Sequence, residues 1–187
     1  VQHAQLWKLG LAANLVVPLI AVVQLWIEYM LLRPAGKGLA LLFVMLNMAS
    51  LAVEAVSKLF QLLVLPLASA GVPAGDPHQA VALASLALLG HEVGFNIALI
   101  FFGAACLVSG TLIWRSRYLP RFVGALMVLA GLSYLVASFA ALLAPAVARM
   151  LGPGILLPVL VGETTFCLWL LIRGVDLRQW QARGAAL

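Results

Sequence analysis

Charged side chains are scarce. The chain carries 11 basic and 6 acidic residues in 187, or 9%, and 65% of its residues are hydrophobic. Soluble domains are about one quarter charged, so an ordinary water-soluble fold is excluded. Cysteine is nearly absent as well. Cys106 and Cys167 lack the paired spacing of a zinc or dithiol site, and each lies inside an apolar run, where it reads as a small core residue. The alternating segments of about 10 residues that build membrane barrels are also missing; the apolar runs here continue for about 20 residues or more. In hydrocarbon every backbone polar group must be bonded internally, which such runs achieve only as helices. The fold class is therefore all-α, a polytopic transmembrane helical bundle forming one integral membrane domain over residues 1–187.

Punctuation bounds five hydrophobic segments: residues 5–32, ended by "RPAGKG"; 38–70, ended by "GVPAGDPH"; 79–114, ended by "RSRYLPR"; 120–143; and 154–173. The short links predict antiparallel neighbours. The second and third segments exceed the length needed for a hydrocarbon core of about 30 Å, so they must tilt or project, and Gly90 and Gly94 mark an expected break in the third. The opening "VQHAQLWKLG" has neither an initiator Met nor the features of a signal peptide, so a segment is expected upstream.

The formal charge of +5 does not point to nucleic acid, because the basic residues sit at segment ends. Arg33, Lys37, Arg115, Arg117, Arg121, Arg173, Arg178 and Arg183 make eight of the eleven, all on one side. By the positive-inside rule that side and the C-terminus are cytoplasmic, while "GVPAGDPHQ" and "PAVARMLGPG" face outward. Trp114, Tyr118 and Trp180 stand where interfacial anchors would.

Polar groups inside the spans carry the functional question. On the second segment Asn47, Ser50, Glu54, Ser57, Lys58 and Gln61 fall within an arc of about 100°. Glu54 and Lys58 have the i, i+4 order that favours an ion pair. Asn14, Gln24 and Glu28 share a face of the first segment, which is expected to turn inward too. The third segment holds His91, Glu92 and Asn96. The fourth offers Ser133, Tyr134 and Ser138, and the fifth places Glu163 near the membrane centre. Depth sorts these groups. Asn14, Glu54, Lys58, His91, Glu92 and Asn96 fall in the outer leaflet, and Gln24, Asn47, Tyr134 and Glu163 near the middle.

Ionisable residues in a membrane are a functional hypothesis by default, set against mutual satisfaction of polar groups that merely fixes helix register. His91, Glu92, Glu54 and Glu163 are acceptable metal-ligand types, but no HExxH or ExxH spacing occurs, and no metal site is assigned. No GxSxG elbow is present either. Gly124, Gly131 and Ser138 recur at heptad spacing and suit close helix packing.

The strings "YMLLRP", "IFFGAACLVSGTLIWRSRYLPRFVG", "LAGLSYL" and "GETTFCLWLLIRGV" together resemble a bacterial family of small membrane proteins, Domain of Unknown Function 4386. The resemblance covers nearly the whole chain. It implies one further N-terminal helix, six in all, and places His91, Tyr134 and Glu163 at family-motif positions. It brings no activity and no cofactor.

Two classes of function follow. The leading expectation is a non-enzymatic protein of the bacterial inner membrane. It would bind a small amphiphile or ion in a polar cavity lined by Asn14, Asn47, Glu54, Lys58, His91, Glu92, Asn96, Tyr134 and Glu163, or serve as a subunit of a membrane complex. The rival is a membrane-embedded enzyme using His91 with Glu92, Glu54 or Glu163. The cavity is the expectation for His91, which should then line it beside polar groups of the second segment and water; if His91 only braces helices, it should be enclosed by apolar side chains with one ring nitrogen bonded to a neighbour.

Overall fold

The computed structural model describes residues 4–69 and 77–185, and these form helices and short connections without strands. Five helices are long and apolar enough to cross a membrane: α1 (Ala4–Leu32), α2 (Lys37–Ser69), α3 (Pro77–Ser116), α4 (Arg121–Leu143) and α6 (Leu157–Ile172). Between α4 and α6 lies the short α5 (Pro145–Leu151), and α7 (Leu177–Gly184) follows the last span. The outward link expected around residues 71–76 lies outside the described residues.

Glycine sets the central contact. Gly110 of α3 faces Gly124 of α4 so closely that a Cβ on either would come within 2.7 Å of the other's carbonyl oxygen. One heptad further, a Cβ on Gly131 would meet the Gly103 carbonyl oxygen at 2.7 Å. Such backbone approach is how membrane helices gain packing energy when lipid is as apolar as the side chains. The heptad that the sequence shows on α4 is therefore a seam against α3. Its third member, Ser138, is fully buried, and its hydroxyl has no partner among the described residues.

The expected break in α3 does not occur. The helix runs for 40 residues without interruption. Gly90 and Gly94 admit α2 instead: a Cβ on Gly94 would lie 2.7 Å from the Ser57 Cβ, and one on Gly90 would lie 2.9 Å from the Phe60 ring. Small size, rather than backbone freedom, is what these positions use. At 1.5 Å per residue α3 is about 60 Å long, so the α2–α3 pair extends beyond α4 at the end opposite the arginines.

At the basic end three connections meet. The Tyr118 hydroxyl and the Trp180 indole N–H both donate to the Leu31 carbonyl oxygen, at 2.7 and 3.1 Å, and the Asp176 N–H donates to the Tyr118 carbonyl oxygen at 3.1 Å. Carbonyls in a helix's last turn lack intrahelical donors, and here two side chains, one from the α3–α4 link and one from α7, supply them to one. Trp114 is exposed, as an anchor would be, but Tyr118 is buried and Trp180 half-buried, so these two act as clamps. Burial pushes the Tyr118 hydroxyl up to about 12 despite the opposing pull of Arg183, which keeps it a donor through the physiological range. The reading of both cysteines as core residues also divides. Cys106 is buried, whereas Cys167 is exposed on α6.

Candidate functional site

The polar stripe of α2 lies beneath α3. Asn47, Ser50, Ser57 and Lys58 are buried, while Glu54 and Gln61 are half-buried. Asn47, Ser50, Glu54, Ser57 and Lys58 each find a bond close by. The Asn47 amide donates to the Phe43 carbonyl oxygen at 3.0 Å, and the Ser50 hydroxyl crosses to the Ala98 carbonyl oxygen of α3 at 2.8 Å. Lys58 Nζ meets Glu54 Oε1 at 3.0 Å, with the lysine almost wholly enclosed. It is the single ion pair among the described residues. At this depth an unpaired charge costs several kcal/mol, which explains why the pair is closed within one helix turn.

His91 belongs to the same layer. Its Nδ1 lies 3.2 Å from both the hydroxyl and the carbonyl oxygen of Ser57, whose own hydroxyl donates to the Glu54 carbonyl oxygen at 2.7 Å. Both facing groups accept, so this arrangement assigns the ring proton to Nδ1. The ring leans against Phe95, with centroids 6.1 Å apart. One ring nitrogen is thus held by the neighbouring helix, while the residue itself is half-buried beside Ser57 rather than enclosed by apolar side chains. Glu92, adjacent in sequence, points the other way and is exposed, with no side-chain partner among the described residues. The Asn96 amide donates to the Glu92 carbonyl oxygen at 2.9 Å.

The polar face of α1 does not turn inward as expected. Asn14 and Gln24 are exposed, and only Glu28 tucks against the bundle. The reason is that α1 holds the other helices mainly through its last turns, where Leu25 and Leu32 are buried. Its first half stands free of them.

A second constellation gathers near the membrane centre from four helices. The Tyr134 hydroxyl of α4 donates to Glu163 Oε1 of α6 at 3.0 Å. Glu28 of α1 lies within electrostatic reach of Glu163 and accepts from the Gln24 amide at 2.9 Å. Cys106 of α3 is within reach of both carboxyl groups. The α4–α6 approach that makes this possible rests on Gly162, where a Cβ would come within 2.8 Å of the Leu126 carbonyl oxygen. The Tyr134 ring is set by an edge contact with Phe102, centroids 5.3 Å apart.

Of the nine residues expected around one cavity, Asn14 and Glu92 are exposed, Asn47 bonds within α2, and six fall in the two layers that depth counting separates. Glu54, Lys58, His91 and Asn96 share the far layer of α2 and α3, whereas Tyr134 and Glu163 sit with Glu28. Counting from the basic end at 1.5 Å per residue, His91 and Glu163 are roughly 20 Å apart along the bundle. Among the described residues no three His, Cys, Asp or Glu side chains come together as metal ligands. Glu28 is the member that sequence reading placed on a face but not in the site. Its signal was an acidic residue inside a span, the same signal that singled out Glu163.

No curated protein and no solved structure matches the chain significantly. The sequence profile of one family matches residues 1–174, and its description assigns no activity. With a match over nearly its full length and five membrane-length helices, the chain belongs to the family described as Domain of unknown function (DUF4386).

Proposed function

We propose that this is a non-enzymatic cation-binding protein of the bacterial cytoplasmic membrane, with its C-terminus in the cytoplasm and its site at Glu163, Tyr134 and Glu28. One observation carries the reading: two half-buried acidic side chains, Glu28 and Glu163, lie within membrane-length helices, and neither forms an ion pair with a basic side chain among the described residues. Each has one neutral donor, Tyr134 for Glu163 and Gln24 for Glu28. Two acidic groups so placed are completed by a cation, of which a proton is the smallest and Na+ or K+ the next simplest. The Tyr134 hydroxyl holds one Glu163 oxygen in place and leaves the other free to take the cation.

Infrared difference spectroscopy on the purified chain tests this directly. Spectra taken with and without Na+ or K+, and between acidic and alkaline buffer, should show a carboxyl band that responds to at least one of these ions. The band should shift in Tyr134→Phe and vanish in Glu163→Gln. An unchanged band in Glu163→Gln, or no responding band in the wild type, would refute the assignment.

A further inference from the structure

A cavity of about 370 Å³ opens at the basic end between the α3–α4 and α6–α7 connections, and neither Glu28 nor Glu163 lines it. Two arginines stand in its lining, Arg117 at the end of α3 and Arg173 at the end of α6. Both are exposed, and neither guanidinium has an ion-pair or hydrogen-bond partner among the described residues. Asp176 also lines the cavity, but its oxygens are already engaged. Oδ1 accepts from the Arg178 and Gln179 N–H groups and Oδ2 from the Gln179 amide, as a cap for α7.

The two walls are built rather than fortuitous. Arg117 has φ of 63°, the left-handed conformation that usually requires glycine at this point after a helix. Buried neighbours hold it there: Ser116 accepts the Leu119 N–H at 3.3 Å, and Tyr118 is clamped to Leu31. On the opposite wall Gly174 turns the chain at φ of 67°, and the Asp176 N–H bonds to the Tyr118 carbonyl oxygen, tying wall to wall. Trp169 adds an aromatic flank whose ring packs edge-on to Phe122. The volume falls in the range of small-ligand sites.

We infer that this cavity binds a phosphate ester of net negative charge, held between the guanidiniums of Arg117 and Arg173 at the depth of the lipid headgroups. Guanidinium forks match phosphate oxygens geometrically, and the indole offers an apolar surface to the adjoining glycerol or acyl carbons. The carbonyl ends of α3 and α6 oppose an anion here, so binding depends on both arginines together. This site is independent of the proposed cation site, and neither stands or falls with the other.

The test uses the full chain in nanodiscs of pure phosphatidylcholine and in nanodiscs of equal phosphatidylcholine and phosphatidylglycerol, with bound lipid counted by native mass spectrometry after release. Arg117→Gly is the informative variant because glycine accepts the left-handed turn, so the guanidinium is lost without straining the fold. The wild type should retain phosphatidylglycerol over phosphatidylcholine, and Arg117→Gly or Arg173→Gln should each weaken retention about tenfold. A control that removes the same charge from the same end, Arg33→Gln with Arg178→Gln, should retain it. Adding glycerol 3-phosphate separates the sources. If it displaces the lipid, the phosphate alone is recognised, and a soluble ester is an equal occupant; if it does not, the lipid is the ligand. Equal retention of the two lipids with no binding of glycerol 3-phosphate would overturn the inference, as would retention by the Arg117→Gly, Arg173→Gln double variant matching that of the wild type.

Discussion

Replacing Lys58 by Met isolates the largest electrostatic commitment in the bundle. The lysine is 4% exposed and its side chain is 3.0 Å from Glu54, whose side chain keeps 21% of its exposure. Met preserves the stem and removes only the charge, leaving Glu54 without its cation. Breaking a fully buried pair costs about 3–5 kcal/mol. The partial exposure of Glu54 reduces this to about 2 kcal/mol, a shift of roughly thirtyfold in the unfolding equilibrium. Glu54→Gln should cost about 3 kcal/mol, because the stranded ammonium is the more enclosed group. The double variant, Glu54→Gln with Lys58→Met, should recover to within about 1 kcal/mol of the wild type, since neutral groups of similar volume owe no charge desolvation. The assay is reversible unfolding in mixed micelles followed by tryptophan fluorescence, read as a double-mutant cycle. If the two single costs add to within about 0.5 kcal/mol in the double variant, the pair is not coupled and the reasoning fails.

Two further outcomes follow from the same geometry. Gly110→Ala should be less stable than Gly10→Ala by about 1–3 kcal/mol: both gain helix propensity, but the Gly110 methyl meets the Gly124 carbonyl oxygen at 2.7 Å while Gly10 has nothing within 4 Å. Equal unfolding midpoints would contradict the seam. In a background with Cys106 and Cys167 replaced by Ala, a cysteine at Met150 should react with an impermeant maleimide in intact cells and one at Arg117 should not. Labelling at 117 alone would reverse the orientation.

What the sequence by itself determined follows from properties that are local to a segment. Insertion into hydrocarbon depends on about 20 consecutive side chains, so the five spans were legible from composition and punctuation. Helical periodicity put Asn47, Ser50, Glu54, Ser57 and Lys58 on one face, and an i, i+4 pair closes within its own helix. Partner identity is not local. Periodicity assigns a residue an angle on its helix, but not the helix that faces it. Asn14 and Gln24 share the face of Glu28, yet only the last turns of α1 pack, so the same stripe is exposed at one end and covered at the other. Gly90 and Gly94 allow either a break or a close approach, and the position of Ser57 and Phe60 on α2 decided for approach. The bond of Tyr134 to Glu163, and the meeting of Tyr118 with Trp180 on one carbonyl of Leu31, join residues far apart in the chain. The Tyr134–Glu163 bond also depends on Gly162, which lets α6 approach α4 to backbone contact, a distance that no segment specifies alone.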